Sequence, residues 1–208
     1  MFQEENLKIK RINSYEDGRF SRKVLLQHGC YLVNEAPYEV EIISESEAII
    51  RGKDREFYPA LIEEFRFNAP QITCFYDSEY RVIKKYRSKE ILTIPLEDIQ
   101  PSQFYVDEEK LSAVSDFIQK AEDIIIQVLP DEDRYISLDG HTRLYYAVLQ
   151  GWKHVRAVTE VSDDWVYGFV EEARKRGIRE PKDMIMVSHE EYEKKWIGFC
   201  DEYFSRNA

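Results

Sequence analysis

Apolar and polar residues alternate along Tyr38-Glu39-Val40-Glu41-Ile42-Ile43, and Ala48-Ile49-Ile50-Arg51 can pair back with that run across Glu45-Ser46-Glu47. A period of two predicts a strand with one buried face, so the segment reads as a hairpin. From Phe57 to Phe67 the period changes: Leu61, Ile62 and Phe65 fall at helical spacing, and Asn68-Ala69-Pro70 supplies a stop. Ile72 to Tyr76 and Tyr80 to Ile83 form a second candidate hairpin around Asp77-Ser78-Glu79. The charged, weakly apolar stretch Lys84 to Glu90 then gives way to a fresh strand-like run, Ile91 to Leu96. This change places a domain boundary near residue 90. Residues 1–90 read as a small α+β domain with no pattern of chemistry, and 91–208 as a second domain.

In the second domain Asp107 can cap a helix whose Leu111, Val114, Ile118 and Ala121 share one face. Asp123 to Leu129 is β-branched and predicts a buried strand, Pro130-Asp131-Glu132-Asp133 a turn, and Arg134 to Leu138 the returning strand. That strand runs straight into Asp139-Gly140-His141-Thr142-Arg143, after which Leu144, Ala147 and Val148 fit a short helix ending at Gly151. His154 to Thr159 predicts a further strand. Helices follow at 163–176 and 189–204, the second opened by Ser188-x-x-Glu191 in capping-box form. Strands and helices mixed in this order predict an α/β fold in the broad sense (α+β), with C-terminal helices.

Composition narrows the function classes. The 208 residues carry 40 Asp+Glu against 29 Lys+Arg, a formal net charge of −11. A chain this acidic is not expected to bind an extended nucleic acid, whose affinity comes from replacing phosphate counterions with basic groups. Hydrophobic content of 43% and aromatic content of 13% support a real core. No apolar run reaches the roughly 18–20 residues of a membrane span, and the start of the chain does not resemble a signal peptide, so a cytoplasmic, membrane-free location is expected. Cys30, Cys74 and Cys200 are an odd number without CxxC spacing, which predicts buried thiols rather than a disulfide framework or zinc knuckle.

One segment carries chemistry. A strand ending in Asp139-Gly140, with His141, Thr142 and Arg143 in the first turn of a helix, gathers polar groups where free backbone amides and the helix dipole favour an anion. Gly140 allows a tight turn and close approach of a ligand. Arg143 can make a forked contact to phosphate or carboxylate, with Thr142 and His141 as further donors. Asp139 can orient His141, hold a magnesium ion, or take a proton from a hydroxyl. The plainer alternative makes Asp139 a helix cap and Arg143 half of a surface ion pair.

The stretch from Ile94-Pro95-Leu96-Glu97-Asp98-Ile99-Gln100-Pro101-Ser102-Gln103, through the amphipathic helix, to Ile136 through Val155 resembles the ParB/sulfiredoxin-like superfamily, many of whose members are labelled ParB-like nuclease domains. The resemblance spans about residues 91–161. Its sulfiredoxin branch places a reactive cysteine where His141 stands, so sulfinic-acid repair has no nucleophile here. Its DNA-partition branch carries two arginines at the turn, of which only Arg143 is present. Its free serine kinase branch has Asp-Gly-His-[Thr/His]-Arg, matched by Asp139, Gly140, His141, Thr142 and Arg143.

That last likeness implies a site for ATP or ADP with magnesium, contacted by Gly140, His141, Thr142 and Arg143. Catalytic roles would fall to Asp139 and His141, the metal to Asp139, and the substrate to Gln103 and Asp139. The family's upstream Pro-His-Glu is Pro101-Ser102-Gln103 in this chain. Glutamine cannot act as a base, which leaves Glu97, Asp98, Glu108 and Asp139 as possible substitutes.

The resemblance therefore implies a nucleotide-dependent phosphotransferase acting on a small hydroxylated metabolite, with free serine as a candidate. Two alternatives stay open: a non-catalytic nucleotide-binding protein, and a ParB-like DNA-binding or nuclease protein. Trp152, Trp165 and Trp196 could stack on a nucleobase but are more simply packing residues. Cys200 is expected to share a packed helix face with Trp196. His28, His154 and His189 lack the spacing of zinc ligands.

Overall fold

The computed structural model describes residues 7–207. The chain divides into two compact units after Glu90, and both are mixed α+β.

The first unit contains β1 (Ile9–Arg11), α1 (Arg22–Leu26), β2 (Cys30–Val33), β3 (Ala36–Ile42), β4 (Glu47–Arg51), α2 (Tyr58–Asn68), β5 (Cys74–Asp77) and β6 (Val82–Lys85). The strands form one sheet in chain order, antiparallel except for β4 and β5, which are parallel because α2 crosses over between them. All four residues of β2 are buried. Tyr31 and Val33 join α2's Leu61, Ile62 and Phe65 on one face, while Cys30 and Leu32 join α1's Val24 and Leu25 on the other. The β3–β4 hairpin pairs Val40 with Ile50, as its alternation predicts. The second hairpin lies about two residues later than the periodicity suggests, at Cys74–Asp77 and Val82–Lys85.

The second unit contains β7 (Leu92–Pro95), β8 (Ile99–Pro101), β9 (Tyr105–Asp107), α3 (Glu108–Ser115), β10 (Ile125–Asp131), β11 (Arg134–Ser137), α4 (His141–Leu149), β12 (His154–Thr159), α5 (Trp165–Lys175), β13 (Ile185–Val187), α6 (His189–Tyr192) and α7 (Gly198–Asn207). Five strands make a mixed sheet in the order β7-β12-β10-β11-β8, and β13 pairs with β9 in a separate parallel pair. Ile94, Ile126, Val128, Val155 and Ala157 from the sheet pack with Leu144 and Ala147 of α4 in the main core. Ile136 packs with Val166 and Val170 of α5 in a smaller cluster. Among the described residues no helix is long and apolar enough to cross a membrane.

Several sequence expectations shift. α3 ends at Ser115, so Ala121 lies beyond it in a separate 3-10 turn. β10 runs on through Pro130 and Asp131, leaving only Glu132 and Asp133 to turn the hairpin; Glu132 takes a positive φ of 52°. Between α6 and α7 the chain forms a π-helical turn, Glu193–Ile197. Trp196 is buried there, its ring 4.9 Å from that of Phe104 and 5.7 Å from that of Phe169, which identifies it as packing. Trp152 meets Tyr146, and Trp165 meets Phe169 and Phe204. All three cysteines are free thiols.

Asp107 caps α3 by accepting from the Glu109 amide at 2.9 Å, and its other oxygen lies 2.8 Å from Nδ1 of His189 at the start of α6. The hydrogen bond to Asp107 raises the His189 pKa. A group whose folded pKa is raised adds stability that is fully present below its unfolded value of about 6.5 and is lost as pH rises through the folded value. His189→Ala should therefore lower the thermal midpoint at pH 6 and change it much less at pH 9; equal losses at both would remove the charged clasp.

Candidate functional site

Three strand ends meet at one edge of the five-stranded sheet. β8 and β11 run parallel with Ser137 opposite Pro101, so Ser102 and the Leu138-Asp139-Gly140 turn leave the sheet side by side. β10 runs antiparallel to β11 with Val128 opposite Ser137, which brings its first residues, Ile125 and Ile126, beneath the turn. The Leu138 amide donates to the Gln127 carbonyl at 2.9 Å and holds the turn against β10.

Gly140 is required here for two separate reasons. It sits at φ 82°, ψ 20°, the left-handed region that side chains disfavour. A Cβ at this position would also lie 2.6 Å from Cγ2 of Ile126, and 3.1 and 3.2 Å from Nη2 and Nε of Arg143. The arginine thus folds back over its own helix start. Its Nη1 donates to the Ile125 carbonyl at 2.6 Å and its Nη2 to Asp139 Oδ2 at 3.0 Å. Two of the five guanidinium N–H groups suffice for these contacts, which leaves donors for a ligand. The side chain keeps 28% of its surface exposed.

Gly140 is the N-cap of α4 and brings no side chain of its own to cap the helix, and the first turn contains no acid. The opening amides of a helix have no intrahelical partner and form the positive end of its dipole. Thr142, half-buried, is the second helical residue. Asp139 is half-exposed and forms the ion pair with Arg143. The ion-pair alternative is therefore present in the structure, whereas the cap position belongs to Gly140.

His141 is 8% exposed. Its Nε2 lies 3.1 Å from Oγ of Ser102, and that hydroxyl lies 2.7 Å from the Ser137 carbonyl oxygen. Burial pushes the His141 pKa down to about 4; Asp139 and the Ser137 carbonyl oppose the shift, and Arg143 reinforces it. The imidazole is accordingly neutral at pH 7.

No protein-family model matches the chain, and no curated protein matches it. Among solved structures, protein Atu1540 from Agrobacterium tumefaciens is similar at 14% identity, with a TM-score of 0.35 over 47% of this chain and 62% of that one. A mutant free serine kinase in complex with AMP is similar at 23% identity, with a TM-score of 0.28 over 38% of this chain and 34% of that one. This chain spans less than two thirds of either protein.

Gln103 has other partners. Its Nε2 donates to the Tyr105 carbonyl at 2.5 Å, and it hydrogen-bonds the buried Tyr192 hydroxyl. Glu97 and Asp98 precede β8, whereas the turn follows the C-terminal ends of β8 and β11, so these two acids lie at the opposite end of the parallel pair. Glu108 is exposed in the first turn of α3.

Ser102 is the residue of this site that sequence reasoning passed over. It lies one position from Gln103 and has no motif of its own. Its contact with His141 superficially resembles an activated nucleophile, but Ser102 is 5% exposed and the Ser137 carbonyl accepts its proton. The pair therefore lacks the hydroxyl-to-imidazole hydrogen bond that activates a serine.

Among the described residues no cluster of three or more His, Cys, Asp or Glu side chains could hold a metal. Asp139 is a single carboxylate, and one of its oxygens already engages Arg143. These residues do not build a magnesium site by themselves, since magnesium takes one or two carboxylates and draws its remaining ligands from water and phosphate. The arrangement offers a forked cation, the opening amides of a helix and a neutral imidazole around a glycine-only turn. Such a set can hold an anionic group and orient a hydroxyl beside it.

Proposed function

We propose that the second unit is a nucleotide-dependent phosphotransferase acting on a small hydroxylated metabolite, with free serine as the first acceptor to test. One observation carries the reading: Arg143 is held between the Ile125 carbonyl and Asp139, directly over Gly140 at the start of α4. The residue-by-residue likeness of Asp139 through Arg143 to the free serine kinase motif supports it further. In this reading Arg143, Thr142 and the first amides of α4 hold phosphate, while Asp139 orients the acceptor. Transfer of a phosphoryl group depends chiefly on such positioning and charge stabilisation.

Calorimetric titration with ATP and with ADP, each with magnesium, tests the reading. The wild-type chain should bind at least one of them. Arg143→Ala should weaken that binding about ten- to a hundredfold, as expected when a charge-assisted hydrogen bond of about 1.5–3 kcal/mol is lost. Arg143→Lys should recover only part of it, because an ammonium keeps the charge but lacks the fork. If neither nucleotide produces binding heat, the proposal fails.

The engagement of Gln103 with Tyr105 and Tyr192 favours a second reading, a nucleotide-binding unit without turnover. Nucleotide binding with no product from serine or a panel of hydroxylated acceptors would select it.

A further inference from the structure

We propose that Asp139 is an internal anion that occupies Arg143 in place of a phosphate, so that ligand binding proceeds by exchange of one for the other. The inference rests on the phosphotransferase reading, which places phosphate at Arg143. The guanidinium is held from two sides: Nη1 donates to the Ile125 carbonyl at 2.6 Å and Nη2 to Asp139 Oδ2 at 3.0 Å. A guanidinium can grip an anion with a pair of N–H groups along either of two edges, Nε with Nη2 or Nη1 with Nη2. Both edges include Nη2, the nitrogen that carries Asp139. A phosphate in the fork and the Asp139 carboxylate therefore compete for one nitrogen, and their like charges repel across it.

The two anchors differ in what fixes them. Ile125 belongs to β10 and is paired with Arg156 of β12 in the sheet, so its carbonyl is part of the scaffold. Nε and Nη2 of Arg143 also lie close against Gly140. These contacts hold the guanidinium in place without help from Asp139. The Asp139 side chain is 51% exposed and lies in the turn between β11 and α4. An ion pair that exposed contributes little, so a ligand breaks it at small cost.

A terminal phosphate carries a charge of about −1.5 to −2 and three strong acceptor oxygens, against one charge and two oxygens for a carboxylate. The exchange therefore runs toward phosphate, keeps the Ile125 contact, and takes Asp139 off Arg143 as the phosphoryl donor arrives. In the phosphotransferase reading Asp139 is the group that orients the acceptor, so the exchange couples arrival of the donor to readiness for the acceptor.

Calorimetric titration of the full chain with inorganic pyrophosphate, in EDTA so that no metal bridges to the carboxylate, tests the exchange. Asp139→Asn keeps the shape of the side chain and removes its charge. It should bind pyrophosphate about three- to tenfold more tightly than wild type, the gain from losing one exposed pair and one like-charge contact. Asp139→Ala should gain as well, and a damaged turn would bind less, not more. Asp133 is exposed in the β10–β11 turn, at the other end of the hairpin from Ile125 and Ser137. Asp133→Asn removes the same charge from the chain and should change the affinity by less than about twofold, because salt screens it at that range. In an Arg143→Ala chain the gain from Asp139→Asn should largely disappear. An affinity unchanged or weakened in both Asp139 variants overturns the proposal, as does an equal gain from Asp133→Asn or a full gain without Arg143. Binding by the Asp139 variants alone would show that the pair closes the wild-type site, and supports it. Pyrophosphate binding by no chain overturns the exchange, whereas the phosphotransferase reading stands or falls separately on the ATP and ADP titrations with magnesium.

Discussion

Gly140→Ala should destabilise the protein by about 2–5 kcal/mol and abolish nucleotide binding at the Asp139–Arg143 turn. Two contributions add. Placing Ala in the left-handed region costs about 1–2 kcal/mol. The new methyl would also stand 2.6 Å from Cγ2 of Ile126, a branch methyl on a residue only 1% exposed, which cannot swing aside without moving β10. Overpacking of this kind costs about 1–3 kcal/mol. The same methyl would press on the guanidinium of Arg143, displacing it from Ile125 and Asp139.

Gly151 is an internal control, since it has φ 70° and open space around its missing Cβ. Gly151→Ala should therefore show the backbone cost alone in urea denaturation. The excess loss in Gly140→Ala then measures the packing of the turn. Equal losses in the two variants would mean that nothing presses on Gly140 beyond its own dihedral.

The sequence made parts of this architecture visible and hid others for identifiable reasons. β3, α2 and α4 each bury one face, and a one-sided burial writes a period of two or 3.6 into the chain. β2 is buried on both faces, so Cys30-Tyr31-Leu32-Val33 shows no alternation and escaped notice. β8, β9 and β13 have three residues each, too few for any period.

The Asp139–Arg143 turn was readable because its residues are contiguous. Ser102 was not, because it meets the Ser137 carbonyl across 35 residues of chain through the parallel pairing of β8 with β11. Family resemblance drew attention to Gln103, one residue further on. The geometry brings Ser102 to His141 and ties Gln103 to Tyr105. Which of two adjacent residues meets His141 is decided by the fold, and contiguous sequence does not record it.

Acid should weaken the second unit through His141, and the effect should reach about 3 kcal/mol. Burial holds the folded pKa at about 4, whereas an unfolded histidine titrates near 6.5. Between those values the unfolded chain binds a proton that the folded chain refuses, so stability rises with pH across the window. The contribution is fully present above about pH 6.5, falls by about 1.4 kcal/mol per pH unit below it, and levels off once pH drops past the folded value. His189 runs the opposite way, since its bond to Asp107 raises its folded pKa. Carboxylates add their own acid sensitivity, so the informative quantity is the difference between two chains. Urea midpoints of wild type and His141→Gln at pH 7.5, 6, 5 and 4.5 should diverge below pH 6.5, with the wild type falling more steeply because glutamine takes up no proton. Parallel profiles would show that His141 titrates as freely in the folded chain as in the unfolded one, and its burial against Ser102 would then have no bearing on its protonation.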